Sequence, residues 1–461
     1  MTNREPVGID NFKELIESKD LFIDKTLFIK EALEDSAKVT LITRPRRFGK
    51  SLNLSMLYYF LSLNEDSKHL FNGLKISEEK ELMDKHLNKH PVIFITFKDI
   101  KSETLKDFEL KVTKLFENLF SKFDYLLNSE FINAKEKRYI NLIINDKFQL
   151  NDLYDSLKFL SASLEKHHKQ KTIILIDEYD SPIHSAYVHD FYNEVVRFLR
   201  PLLGNALKGN DSLFKGFLTG ICRVSKESMF SDLNNLLVCD LFRSEYKDKF
   251  GFTQDEVLET LTSIGRTDKV DEAKDWYNGY QIKGVKLYNP WSFINYLKNE
   301  FIAKSYWINT GSVDIYKKIL SNVQVDALED LILLSKDEPI YQKITENLVI
   351  HQLNSLDISF WTMMLYGGYL NIEECDLASG GHYLCKLLAP NKEIRSIFDV
   401  MISDWFIHHQ PSNSAHQKFV NCFISRNPEE IFCIKNIIEN YLNSSTSAFD
   451  FSMSSKEKIF H

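Results

Sequence analysis

Gly49, Lys50 and Ser51 stand in a row after the segment VTLITRPRRF. At a strand-to-helix turn, backbone N–H groups and a helix N-terminus cradle phosphate, a lysine reaches the β- and γ-phosphates, and a hydroxyl joins the shell of Mg2+. About 125 residues later TIILIDEYD ends in the carboxylates Asp177 and Glu178. Asp177 would accept from a metal-bound water or from the Ser51 hydroxyl, and Glu178 would polarise an attacking water. A third polar group closes LFKGFLTGICRVSKES. There Thr219 is placed to orient that water or to sense the γ-phosphate, and Arg223 to approach the phosphates or to act in trans.

Each feature has a plainer reading. A GKS tripeptide occurs in ordinary loops, and an Asp-Glu pair after a strand is often a solvated turn or a helix cap. Thr219 can cap the next turn, and Arg223 can pair with a surface carboxylate. What favours the chemical reading is the pairing of GKS with a hydrophobic strand that ends in two acids. The expected nucleotide contacts are Arg46, Arg47, Phe48, Gly49, Lys50, Ser51 and Leu52, and the expected metal contacts are Ser51 and Asp177. Glu178, Thr219 and Arg223 are the expected catalytic residues, with ATP and Mg2+ as cofactors. The usual spacing, GxxxxGK[ST], opens on a glycine, but Arg44 stands there.

These residues need a scaffold. VTLIT, PVIFITF, TIILID and LFKGFLT are short, largely uncharged runs rich in β-branched and aromatic residues, suited to strands buried on both faces of a parallel sheet. Helical spacing lies between them, as in Phe108, Val112, Leu115, Phe116 and Leu119. The pattern predicts an α/β fold, a P-loop NTPase with a doubly wound parallel sheet over 1–235, followed by a mainly α-helical C-terminal region. Residues 120–170 read as helices inserted before the strand at 172. A helical lid is expected over 236–300: Thr253 caps FTQDEVLETLTSIG, DKVDEAKDWYNGY stops near Gly279, and Asn289 or Pro290 opens NPWSFINYLKNEF. The remainder, 301–461, reads as mainly helical, with one small β element around YGGYLNIEE and HYLCKLLAP and a Ser-rich tail.

Composition narrows the function classes. In 461 residues, 44% are hydrophobic and 26% charged, the balance of a folded protein. A net charge of -8 gives the whole molecule no basic field for nucleic acid, although a local groove is compatible with it. The six cysteines show neither metal-ligand spacing nor crowding, so they read as reduced, mostly buried small hydrophobes. There is no apolar run long enough to span a membrane and no leader-like N-terminus, so a cytoplasmic protein without membrane partners is expected.

The segments FKELIESKDLFIDKTLFIKEAL, TLITRPRRFGKSLNLSMLYYF, IILIDEYDSPI and FLTGICRVSKESMFSDLNN together resemble the AAA-ATPase-like family of bacterial and symbiont proteins. RPRRFGKS with IDEYD carries the likeness, the arginine in place of the first glycine included. The resemblance implies an additional-strand ATPase of the AAA+/STAND kind. It casts Phe22–Lys25 near the nucleotide, where the plainer reading makes Phe22 and Ile23 core. Members commonly carry a C-terminal PD-(D/E)xK nuclease domain. No Asp…(D/E)xK unit follows residue 390, so 301–461 is expected to lack a complete one.

The expected function is thus an ATP-binding, Mg2+-dependent ATPase acting as a switch or motor, with the helical C-terminal region facing a protein partner. The alternative is a nucleic-acid-associated module, the remnant of an ATPase–nuclease fusion, in which nucleotide is structural or slowly hydrolysed. A homo-oligomer would use an arginine from a neighbouring subunit, for which Arg223 is the candidate.

Overall fold

The computed structural model describes residues 5–223, 235–307, 325–346, 357–378 and 381–409. Cys422, Cys433, the Ser-rich tail and most of the stretch in which a nuclease motif was sought lie outside them.

Five strands make the central sheet: β1 (Val39–Thr43), β2 (Val92–Thr96), β3 (Thr172–Asp177), β4 (Leu213–Gly220) and β5 (Leu236–Cys239). Their order is β2-β3-β4-β1-β5, and every neighbouring pair is parallel. Every residue of β1 and β3 is buried, which is why both read as continuous apolar runs. Because the strands are parallel, the C-terminal ends of β1, β3 and β4 open on one edge, where ligands bind in such sheets. β4 lies between β1 and β3, so Thr219 falls between the phosphate loop and the two acids.

Sequence patterning locates β1 to β4 but not β5. Three half-buried residues and one buried cysteine give too little periodicity, and the sheet therefore extends just past residue 235.

The stretch expected to form a helical lid contains the helices Gln254–Ser263, Val270–Tyr277 and Pro290–Lys298. Thr253 and Glu256 close a capping box on the first, and Asn289 caps the third, both as the sequence signals. It also holds a small antiparallel sheet ordered β6-β8-β7, from β6 (Phe252–Thr253), β7 (Tyr280–Ile282) and β8 (Val285–Tyr288). Strands of two to four residues leave no alternation to read. A separate cluster around Tyr277, Tyr288, Phe293 and Tyr296 is this unit's core.

Beyond it, β9 (Ile340–Ile344), β10 (Asn371–Leu377) and β11 (Tyr383–Leu388) form a second antiparallel sheet, ordered β10-β11-β9. The helices Val325–Ser335, Asp357–Gly367 and Lys392–His409 accompany it. The sequence marks β10 and β11 and misses β9. Cys375 and Cys385 sit opposite each other in this sheet and are joined as a disulfide, against the expectation of reduced thiols. A spacing of ten residues does not disclose hairpin register. No described helix is long and apolar enough to cross a membrane.

Candidate functional site

The loop after β1 turns into the helix Lys50–Leu61 at Gly49, whose φ of 76° is left-handed and suits glycine. Lys50 and Ser51 are therefore the first residues of that helix. The Ser51 hydroxyl donates to Asp177 Oδ2 at 2.8 Å, across 126 residues of sequence. Asp177 is 2% exposed, and its other oxygen accepts from the Thr219 hydroxyl at 2.6 Å. The Thr96 hydroxyl reaches Oδ2 at 3.4 Å. Hydroxyls from a helix and two neighbouring strands thus fix one carboxylate. Ser51 and Asp177 are hard oxygen donors, the set that suits Mg2+.

Lys50 is buried, and its ammonium donates to the carbonyls of Arg44 (3.0 Å) and Pro45 (2.9 Å). Burial lowers its pKa, with Glu178, Asp180 and Asp177 pulling the other way. Glu178 has a φ of 49°, a left-handed backbone that costs a non-glycine residue about 1–2 kcal/mol. Its N–H donates to the Thr219 hydroxyl at 3.3 Å. Burial raises its carboxyl pKa, against the opposing pull of Lys50.

Arg44 does not lie beside the phosphate site. Its guanidinium is 1% exposed and donates to five backbone carbonyls, those of Thr43, Cys239, Asp240, Glu245 and Tyr246, at 2.8–3.3 Å. Desolvation pulls its pKa down to about 10. The arginine at the first-glycine position thus ties the loop to the end of β5 and the turn beyond it. Of the three arginines in RPRRF, only Arg46 and Arg47 line the cavity.

That cavity is lined by every residue from Arg46 to Asn53, by Glu178, Asp180, Ser181 and His184, and by Gly220 and Ile221. The N-terminal segment adds Leu21, Phe22, Ile23 and Lys25, so Phe22 both packs on the core and faces the cavity. Thr219 and Arg223 do not line it. Thr219 is fully buried behind Asp177, and Arg223 is half-buried.

The lid adds Pro290, Trp291, Ile294 and Asn295, which the sequence reading did not place here. The Asn-Pro helix start is a signal in the sequence, but nothing local places the tryptophan after it at the cavity. The Arg47 guanidinium lies 4.2 Å from the centre of the Trp291 ring. Lys25 joins the N-terminal segment to the lid, donating to Glu256 at 2.6 Å and to the Asp248 carbonyl at 2.7 Å.

Comparison with known proteins finds a family match in the first half of the chain. Residues 6–230 match the model of the AAA-ATPase-like family, described as a predicted AAA-ATPase. Over 400 residues, 85% of this chain and 68% of the relative, the chain is 27% identical to the uncharacterized protein in the vnfD 5' region of Azotobacter chroococcum mcd 1. Among solved structures it is similar to the Walker-type ATPase PABY2304 of Pyrococcus abyssi, with 14% identity and a TM-score of 0.37. That alignment covers 86% of this chain and 97% of the other.

Proposed function

We propose that the AAA-ATPase-like segment 6–230 binds ATP with Mg2+ and hydrolyses it, the lid over 236–300 responding to the nucleotide. The observation that carries this reading is the 2.8 Å hydrogen bond from Ser51 to Asp177, which joins the phosphate loop to the acid-bearing strand beside Lys50 and Glu178. Ser51 and Asp177 would hold Mg2+, which neutralises charge on the β- and γ-phosphates when bound.

The chain's own groups do the rest. Lys50 gives up the carbonyls of Arg44 and Pro45 and donates to phosphate oxygens instead. The N–H groups of the helix it opens face the same anion. Glu178 accepts the proton of the water that attacks the γ-phosphorus as the bond to the β-phosphate oxygen breaks, releasing ADP and phosphate. Thr219 keeps Asp177 aligned from behind. Arg46 and Arg47 add positive charge at the cavity wall.

Nucleotide binding and turnover measured separately on the purified chain test this. Lys50→Ala is expected to lose ATP binding. Glu178→Gln is expected to bind ATP but to turn it over about 100-fold or more slowly. Equal turnover by wild type and Glu178→Gln would overturn the catalytic role.

A further inference from the structure

One group of side chains, two of them in the cavity wall and the third behind it, has no part in that reaction. Asp180, which precedes the helix Ser181–Val188, and His184, one turn along it, meet Cys222 just beyond β4. The three are 2%, 5% and 0% exposed, and a ligand atom of each lies within 4.8 Å of the others. Cys222 Sγ is 3.8 Å from His184 Nε2, and Asp180 Oδ2 is 3.9 Å from the same nitrogen.

The arrangement is built. Asp180 Oδ2 accepts from the N–H groups of Ile221 (2.7 Å) and Cys222 (3.3 Å). A Cβ on Gly220 would meet the Tyr179 ring at 2.7 Å and crowd the Asp180 carboxyl at 3.0 Å, so glycine leaves both groups their room. A nucleophilic relay would need thiol and carboxylate on opposite ring nitrogens. Here both face Nε2, and Nδ1 is buried with no hydrogen-bond partner. Convergence of S, N and O donors on one point is what a metal ion requires.

We propose that Asp180, His184 and Cys222 bind a borderline-soft divalent cation of the zinc class. Bond lengths of about 2.0–2.3 Å set tetrahedral donors about 3.4–3.6 Å apart, so the two separations from His184 Nε2, 3.8 and 3.9 Å, need to close by only a few tenths of an ångström. Three protein donors leave a fourth position for an oxygen ligand, and Asp180 and His184 line the cavity from which it would come. A thiol and an imidazole set this site apart from the oxygen pair Ser51–Asp177. Burial holds the His184 imidazole neutral, its pKa down to about 4, and keeps the Cys222 thiol protonated, so binding exchanges the thiol proton for the ion. Arg46 and Lys101 are the cationic neighbours that oppose it. The inference stands independently of the nucleotide reading.

Titrating chelator-stripped full-length chain with Co2+ tests it. The expected result is one Co2+ per chain with near-ultraviolet thiolate-to-metal absorption, displaced by Zn2+. That absorption is lost in Cys222→Ser and His184→Ala and kept in Cys239→Ser. Absence of the absorption in wild type, or its persistence in Cys222→Ser, overturns the site. If the variants fail to fold, X-ray absorption at the zinc edge of loaded wild type decides: one sulfur among the ligands supports the site, and a shell of nitrogen and oxygen alone rejects it.

Discussion

Thr219 shows how far one hydroxyl reaches. It donates to Asp177 at 2.6 Å and accepts from the N–H of Glu178 at 3.3 Å, so it positions both acids without lining the cavity beside the loop. Valine has nearly its shape without the hydroxyl. Thr219→Val is therefore expected to raise the Mg2+ concentration for half-maximal turnover about tenfold, as loss of a ligand's hydrogen-bond partner does. ATP binding without Mg2+ should stay near wild type. A Mg2+ titration that matches wild type would show that Asp177 needs no such support. That Gly49, Lys50 and Ser51 turn from a strand into a helix, and that Asp177 ends another strand, was legible in the sequence because each position is set within a few residues of a strand end. The role of Thr219 was not, because its partners lie about 40 residues away and only the strand order brings them together.

At the scale of elements, the phosphate loop is held by a contact that no local pattern displays. The Arg44 guanidinium meets carbonyls at positions 239–246, some 200 residues on, and those groups have been taken out of water to receive it. Arg44→Gly would restore the first glycine of the usual loop. It is nonetheless expected to destabilise the chain by about 3 kcal/mol or more, because it strips donors from several buried carbonyls at once. Chemical denaturation checks this, and an unchanged midpoint would refute it. The same contrast runs through the fold. β1 and β3 could be read to the residue, since strands buried on both faces are unbroken apolar runs. β5, β6 and β9 could not, because two to five residues that are partly polar or half-buried take their pairing from neighbours distant in sequence, and β7 and β8, though they pair across the Lys283–Gly284 turn, are too short to alternate. Helix starts fared better, since Thr253 and Asn289 cap through side chains within three residues.

Across the whole molecule, the C-terminal region is tied to the 236–300 unit, where Asn391 donates to the Asn278 carbonyl at 2.7 Å and Lys392 pairs with Asp275 at 2.8 Å, and that unit lines the cavity. Glu393, at the start of the helix Lys392–His409, accepts from the N–H groups of Tyr306 (2.7 Å) and Trp307 (2.9 Å). Burial raises its pKa from the ordinary 4.5 to about 7, so between those values the folded chain keeps a proton that the unfolded chain has lost. The stabilising proton is fully retained below pH 4.5. As the pH climbs to about 7, stability should fall by on the order of 3 kcal/mol. Glu393→Gln keeps an acceptor for both N–H groups and does not ionise, so its stability should stay flat where wild type declines. Parallel curves of unfolding midpoint against pH would reject this. Nearby, Trp291 lies under Arg47 and donates at 3.2 Å to the carbonyl of Tyr306, the residue whose own N–H Glu393 accepts. On the proposed function, a nucleotide entering the cavity would compete for the Arg47 charge and for the ring face, and so pull on the segment that reaches the C-terminal helix. ATP is therefore expected to change the intrinsic fluorescence of wild type. Trp291→Leu should lose that change while binding ATP about 3- to 30-fold more weakly, the range a cation–π contact supplies. Fluorescence that responds equally in the variant would place the signal on another tryptophan and break the link between nucleotide and lid.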